Sequence, residues 1–294
     1  MSRHDAVVDA ATPNTQADAT EDDFDLVVER TVGLPSLRPR ELWAYRELLY
    51  FLTWRDIKVR YAQTVLGAAW AILQPVLAMI LFTLVFAHVA KVSSSGIPYP
   101  IFAYAALVPW YFYATSAQAA SNSLVGSTQL VTKVYFPRIF VVASPVLAGI
   151  VDFALAFLIV AILMAYYEIG PSIGAVALPG FLAMAVATAV GIGAWLAALN
   201  VKYRDVRFVV PFLLQLWFFA TPIVYSIDAL DEPWRTIFGL NPMSGVVLGF
   251  RWALAGGAAP DGLLVLLSAV SAVVFLAAGM FYFGRTEKTF ADVI

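Results

Sequence analysis

Residues 92–132 carry no charge, and no other uncharged stretch in the chain is as long. The run ends at Lys133-Val134-Tyr135-Phe136-Pro137-Arg138, and a second apolar run opens at Ile139. A bilayer core takes about 20 helical residues per crossing, so one crossing leaves residues to spare. The surplus, residues 116–132, is small and polar, with Ser121, Asn122, Ser123, Ser127, Thr128 and Gln129, so it can leave the lipid before Lys133. Two cations, two aromatics and a proline then sit between two membrane spans. Cations mark cytoplasmic loops, and aromatic rings suit headgroup depth. Pro137 stops one helix and can start the next. The segment reads as a short, stiff cytoplasmic elbow on which a soluble partner could push.

Composition agrees and removes several chemistries. The chain is 61% apolar and 13% charged, with a mean hydropathy of +0.80, whereas a soluble domain is nearer half apolar and a quarter charged. With no cysteine, disulfides, thiolate catalysis and cysteine-ligated metal are excluded. Two histidines, His4 and His88, cannot build a metal cluster. No Gly-x-x-x-x-Gly-Lys-Ser/Thr occurs, so ATP-driven work needs a separate subunit, acting at the elbow. No catalytic acid–base constellation is apparent, and no cofactor, metal or nucleic acid is expected on this chain. The first forty residues are polar and acidic, unlike a signal peptide, so the first span is expected to direct insertion.

Eight of the twenty acidic residues lie before Arg30, and this composition predicts a mobile tail over residues 1–40. Residues 41–61 are helical in pattern but too short and polar to span, which gives a segment 41–64 ahead of the membrane region. Leu42, Tyr45, Leu49 and Leu52 form one stripe; Tyr50, Trp54, Ile57 and Tyr61 form another, and the shift near Thr53 points to a bend or to a helix touching two surfaces. Arg55, Lys58 and Arg60 project from the second part. Aromatics on one face and cations on the other fit a helix lying in the membrane interface; an ordinary juxtamembrane anchor fits equally.

The fold class is all-α, with six crossings at about 66–87, 101–118, 141–166, 176–199, 208–225 and 263–283 in a membrane region 65–284. A short tail 285–294 follows. Arg55, Lys58, Arg60, Lys133, Arg138, Lys202, Arg204, Arg207, Arg285 and Lys288 gather on one side, against Lys91, Arg235 and Arg251 on the other. That asymmetry puts both termini in the cytoplasm and requires an even number of spans. The last outward connection, 226–261, holds Asp228, Asp231, Glu232 and Arg235. Within it Asn241-Pro242 offers an N-cap and a first-turn proline for a helix ending before Gly256-Gly257. Such a helix reaches only halfway through the hydrocarbon, so 234–254 reads as re-entrant, capping a pathway.

Two seams suggest a lined path. Tyr104, Val108, Tyr111, Thr115, Gln118 and Asn122 share one face of the second span, and Phe208, Phe212, Gln215, Phe219 and Pro222 one face of the fifth. Aromatic rings mixed with amides suit sugar rings; an interfacial belt with helix packing gives the same pattern. In the fourth span Ala185, Ala189, Gly193 and Ala197, and Ala183, Ala187 and Gly191, predict close helix approach. After it, Arg204 and Asp205 can pair in a tight turn, and Lys202, Arg204 and Arg207 either mark the cytoplasmic side or contact a phosphate-bearing lipid. Asp152, inside the third span, must be shielded and paired; a hydrogen bond to a neighbouring span is favoured over a coupling proton.

Taken in order, these segments resemble the permease subunits of bacterial polysaccharide ABC exporters, in the ABC-2 superfamily (Wzm-, TagG- and KpsM-like proteins). The resemblance covers residues 48–288. It rests on Arg60-Tyr61 with Leu66-Gly67-Ala68-Ala69-Trp70 and Gln74-Pro75, on the elbow, and on Asn200 through Asp205. It continues through Thr221-Pro222-Ile223-Val224-Tyr225-Ser226 and Asn241-Pro242-Met243 with Arg251. It implies a homodimer with two nucleotide-binding subunits that hold ATP and Mg, and export of a polyprenyl-diphosphate-linked glycan between protomers across a bacterial plasma membrane. It further implies an interfacial helix bearing Trp54, Arg55, Lys58, Arg60 and Tyr61, and a coupling segment with Gln129, Lys133, Tyr135, Phe136, Pro137 and Arg138. Outer gate helices would carry Trp234, Asn241, Pro242 and Arg251. The acidic tail departs from the family pattern. O-antigen, teichoic acid, capsule and galactan exporters share these motifs, and the Ala- and Val-rich composition fits a high-GC genome. The rival readings are an exporter of drugs or small lipids, an ion-coupled transporter using Asp152, and a membrane transferase, which the missing acid–base cluster disfavours.

Overall fold

The computed structural model describes residues 39–62, 69–91, 94, 96–133, 136–170, 172–227, 230–256, 259–287 and 290. The acidic tail 1–38, Leu66-Gly67-Ala68, Tyr135, Asp228 and Lys288 lie outside the described residues. Two helices, α1 (Pro39–Ala44) and α2 (Arg46–Tyr61), come first and are separated by a turn at Tyr45. Helix α2 is continuous through Thr53, whose Oγ1 donates to Leu49 O at 2.8 Å. Then come α3 (Ala69–Phe82), extended by a π-helical stretch Thr83–Val89, and α4 (Tyr99–Gly126). A turn at Ser127 leads into the short α5 (Thr128–Lys133), and α6 (Ile139–Tyr166) follows. A 3-10 turn, Ile173–Ala177, precedes α7 (Leu178–Lys202) and α8 (Val206–Phe219). The chain closes with α9 (Trp234–Gly239), α10 (Pro242–Ala255) and α11 (Gly262–Thr286). No strand occurs among the described residues.

Four of these stretches are long and apolar enough to cross a membrane: Ala69–Val89, Ile139–Tyr166, Ile173–Lys202 and Gly262–Thr286. The helix α4 has the length of α6, 28 residues, but carries Tyr, Ser, Asn and Gln throughout. It tolerates them because it is central. It packs against α3, α6, α7, α8 and α10, and protein rather than lipid surrounds most of its side chains. The polar surplus expected to leave the lipid is still helical to Gly126. The fifth expected crossing, 208–225, is helical only in part: α8 stops at Phe219, and residues 220–225 form a turn and bends. Pro222 disfavours helical backbone at Thr221, so α8 has 14 residues, about 21 Å.

The small-residue stripe of α7 does what its spacing predicts. Ala185, Ala189, Gly193 and Ala197 are buried, and a Cβ on Gly193 would come within 2.6 Å of the Ala120 Cβ on α4. The second stripe is graded, with Ala183 exposed and Gly191 buried. A Cβ on Gly191 would meet the Leu276 Cα of α11 at 2.5 Å, and one on Gly279 would strike the Gly191 carbonyl. Here two backbones touch, and only glycine at both positions permits it.

Candidate functional site

At its C-terminal end, α4 breaks at Ser127 and α5 carries Gln129 and Lys133 outward, both exposed. The rest of the elbow turns inward. Phe136 is 4% exposed, which corrects its assignment as a headgroup anchor: the ring reaches protein first. Arg138 is half-buried, its backbone N–H donating to Glu287 Oε1 at 3.4 Å and its guanidinium to Glu287 O. The elbow is thus fastened to the last turn of α11, where Phe283 and Phe290 pack edge to face. Burial raises the Glu287 carboxyl above its ordinary range, with the Arg138 N–H and charge opposing. Pro137 accepts the Phe140 N–H and so opens α6 as expected.

Helix α2 runs beside this elbow. Trp54, Arg55 and Lys58 are exposed, with Lys58 Nζ 5.6 Å from the centre of the Trp54 ring and Arg55 paired to Asp56 at 2.8 Å. Ser144 Oγ donates to Asp56 Oδ2 at 2.6 Å. One turn later Arg60 and the Tyr61 hydroxyl both donate to Asp152, each to a different carboxylate oxygen. Asp152 stands at the middle of α6, about 20 Å from its start. The last turns of α2 therefore pack along α6. The partner of Asp152 is not a neighbouring span but α2, and the pair meets the requirement that an intramembrane acid be compensated.

A cleft of about 650 Å³ separates α2 from α5, with Arg55, Asn122, Ser127 and Gln129 on its walls. A second cavity of about 500 Å³ lies between α2, α3, α4 and α6, and Asp152, Gln74, Tyr111 and Thr115 line it. The α4 seam therefore divides. Tyr111 and Thr115 face the cavity, and Gln118 is exposed. Tyr104 does not belong there: it is fully buried, its hydroxyl donating to Ala156 O at 3.2 Å. Asn122 accepts from Asn200 Nδ2 at 3.1 Å and so joins α4 to α7. On α8, Phe212, Gln215 and Phe219 are exposed, while Val210 and Leu214 turn inward. The two seams do not face each other within this chain.

Beyond α8 the non-helical turn is held from inside. Arg251 is 5% exposed and donates to Phe102 O at 3.0 Å, to Pro222 O at 2.6 Å, to Tyr225 O at 3.3 Å and to Ile223 O. Asn241 caps α10 by accepting from Met243 N at 3.0 Å, accepts from Trp217 Nε1 at 2.8 Å, and donates to Ala220 O at 3.0 Å. Both residues satisfy carbonyls that non-helical backbone leaves open. Pro242 is buried in the first turn of α10, and Trp234 is exposed at the head of α9. Lys202, Arg204 and Arg207 are all exposed. The Arg204–Asp205 pair is absent; Lys202 and Arg207 lie over Tyr203 and Phe208, and neighbouring side chains on an exposed turn diverge into water. No cluster of three metal-ligating side chains occurs among the described residues. Sequence reasoning missed Glu287 and Ser144, and neither shows a spacing that could have pointed to them.

The profile of the ABC-2 type transporter family matches residues 47–255, from the start of α2 to the end of α10. The chain belongs to that family. This ABC-2 permease is 33% identical over 259 residues to the O-antigen export system permease protein RfbA of Myxococcus xanthus, covering 87% of this chain and 98% of the relative. A Klebsiella pneumoniae protein of the same name is 26% identical over 249 residues, 84% of this chain and 95% of that one. The polysialic acid transport protein KpsM of Escherichia coli is 22% identical over 238 residues, covering 80% and 91%. The matched family range takes in α2, the elbow, α9 and α10.

Proposed function

We propose that this ABC-2 permease is the membrane subunit of an ATP-driven exporter that moves a polyprenyl-diphosphate-linked polysaccharide, of the O-antigen, teichoic acid or galactan class, across a bacterial plasma membrane. The observation that carries this reading is its near full-length relation to permeases named for O-antigen export. The working unit is a homodimer with two ATPase subunits and cytoplasmic termini. Six crossings are α3 with its π-helical extension, α4, α6, α7, α8 with the turn after it, and α11; α9 and α10 dip into the outer leaflet as a gate. ATP closure of the partner presses on Gln129, Lys133 and the cleft beside α2. The exposed α8 face, with Gln215 among phenylalanines, supports a path between protomers, since an amide is costly against lipid. Arg60 and Tyr61 occupy Asp152, which weighs against a coupling-proton site.

The test is reconstitution with the ATPase in vesicles loaded with lipid-linked glycan. ATP-dependent appearance of glycan on the far face is the expected result. Equal transport without the ATPase, or transport that follows a proton gradient, would sink the reading.

A further inference from the structure

The cavity between α2, α3, α4 and α6 has a volume typical of small-ligand sites. Its polar end is the Arg60–Asp152 pair, whose side chains keep 27% and 20% of their surface accessible. Asp152 accepts one bond on each oxygen, so each keeps a lone pair. Arg60 commits one N–H to Asp152 and one to Pro145 O at 3.4 Å, which leaves three of its five. Spare donors and acceptors thus stand side by side in an electroneutral pair. The walls add the half-exposed Trp70 ring and the Tyr111 ring, with the Gln74 amide and the Thr115 hydroxyl between them.

We propose that this cavity binds a neutral sugar ring of the exported glycan, with adjacent hydroxyls on Asp152 and Arg60 and an apolar ring face on Trp70 or Tyr111; this rests on the polysaccharide reading. Adjacent hydroxyls each donate and accept, which is what a neighbouring carboxylate and guanidinium can match. Carbon–hydrogen faces suit aromatic walls. A phosphate is the rival ligand for an arginine, but Asp152 already neutralises Arg60, and a second anion here meets a carboxylate in a poorly screened site. An acidic sugar meets the same repulsion. The site selects by charge as well as by shape.

The full-length permease in lipid nanodiscs, prepared without alkyl glycoside detergent, is probed by saturation-transfer NMR with methyl galactoside, the corresponding uronate and methyl phosphate. Transfer to the neutral glycoside alone is expected. Asp152→Asn weakens that binding about tenfold and admits the uronate, because Arg60 is left unbalanced. Gln74→Leu weakens the neutral glycoside without admitting the uronate; should Asp152→Asn not fold, this variant and the wild-type preference decide. A preference for methyl phosphate overturns the proposal, and so does glycoside binding unchanged in both variants. ATP-driven export measured in parallel separates the two claims. Export by a wild-type complex that binds no glycoside here removes the cavity and keeps the polysaccharide reading, whereas no glycan export at all removes that reading.

Discussion

Arg251 spends its guanidinium on backbone. It reaches four carbonyls and stands 3.5 Å from the centre of the Phe102 ring, with no carboxylate paired to it among the described residues. Truncation strands those carbonyls where water cannot replace the donor. Arg251→Met is expected to lower stability by about 3 kcal/mol, seen as a drop in melting temperature. Arg251→Lys should recover little, because an ammonium lacks the planar fork. Glu287 gives a different signature. Burial raises its carboxyl on folding, so the native state holds the proton more tightly than the unfolded chain does. The stability linked to that proton is complete below the unfolded value near 4.5 and is lost as pH rises through the higher native value. Glu287→Gln is expected to flatten the melting temperature across that interval, and a slope that survives in the variant assigns the titration to another group.

At the level of elements, the α7–α11 contact and the elbow make separate claims. Gly191→Val drives a branched side chain into the α11 backbone and is expected to cost at least about 3 kcal/mol. Gly180→Ala, which points into open space, should leave stability unchanged or raise it. For the elbow, Arg138→Ala removes the guanidinium half of its clamp to α11, and about tenfold less export per ATP hydrolysed is expected of the reconstituted complex; an unchanged ratio would remove that contact from coupling. What was legible here follows from the range of each interaction. The cap on α10, the stripe on α7 and the opening of α6 at Pro137 depend on residues within a turn or two, and the sequence alone located them. Arg138 and Glu287 are 149 residues apart, and Asp152 meets residues 92 and 91 positions earlier, so no local pattern could pair them. The early end of α8 was within reach, since Thr221-Pro222 disfavours helix, but the hydropathy of the stretch outweighed that signal.

For the whole molecule, the two seams look in different directions within one chain, and the α8 face has no partner among the described residues. In the proposed homodimer a second copy would supply the missing wall. Gln215→Lys is expected to shift the purified permease from dimer to monomer by native mass spectrometry, whereas a dimer unaffected by that charge assigns the face to lipid. The candidate path was legible only in part, because periodicity tells which residues share a side of a helix and not which neighbour covers that side; Tyr104 was lost to α6 for this reason. The short reach of α8, about 21 Å against a hydrocarbon core near 30 Å, has a consequence for the surrounding lipid. Acyl chains beside it must shorten their span or yield to protein, and each added methylene raises that mismatch penalty. Turnover should therefore decline in bilayers of progressively longer-chain phosphatidylcholine, which makes the host membrane's thickness a setting on the exporter's rate.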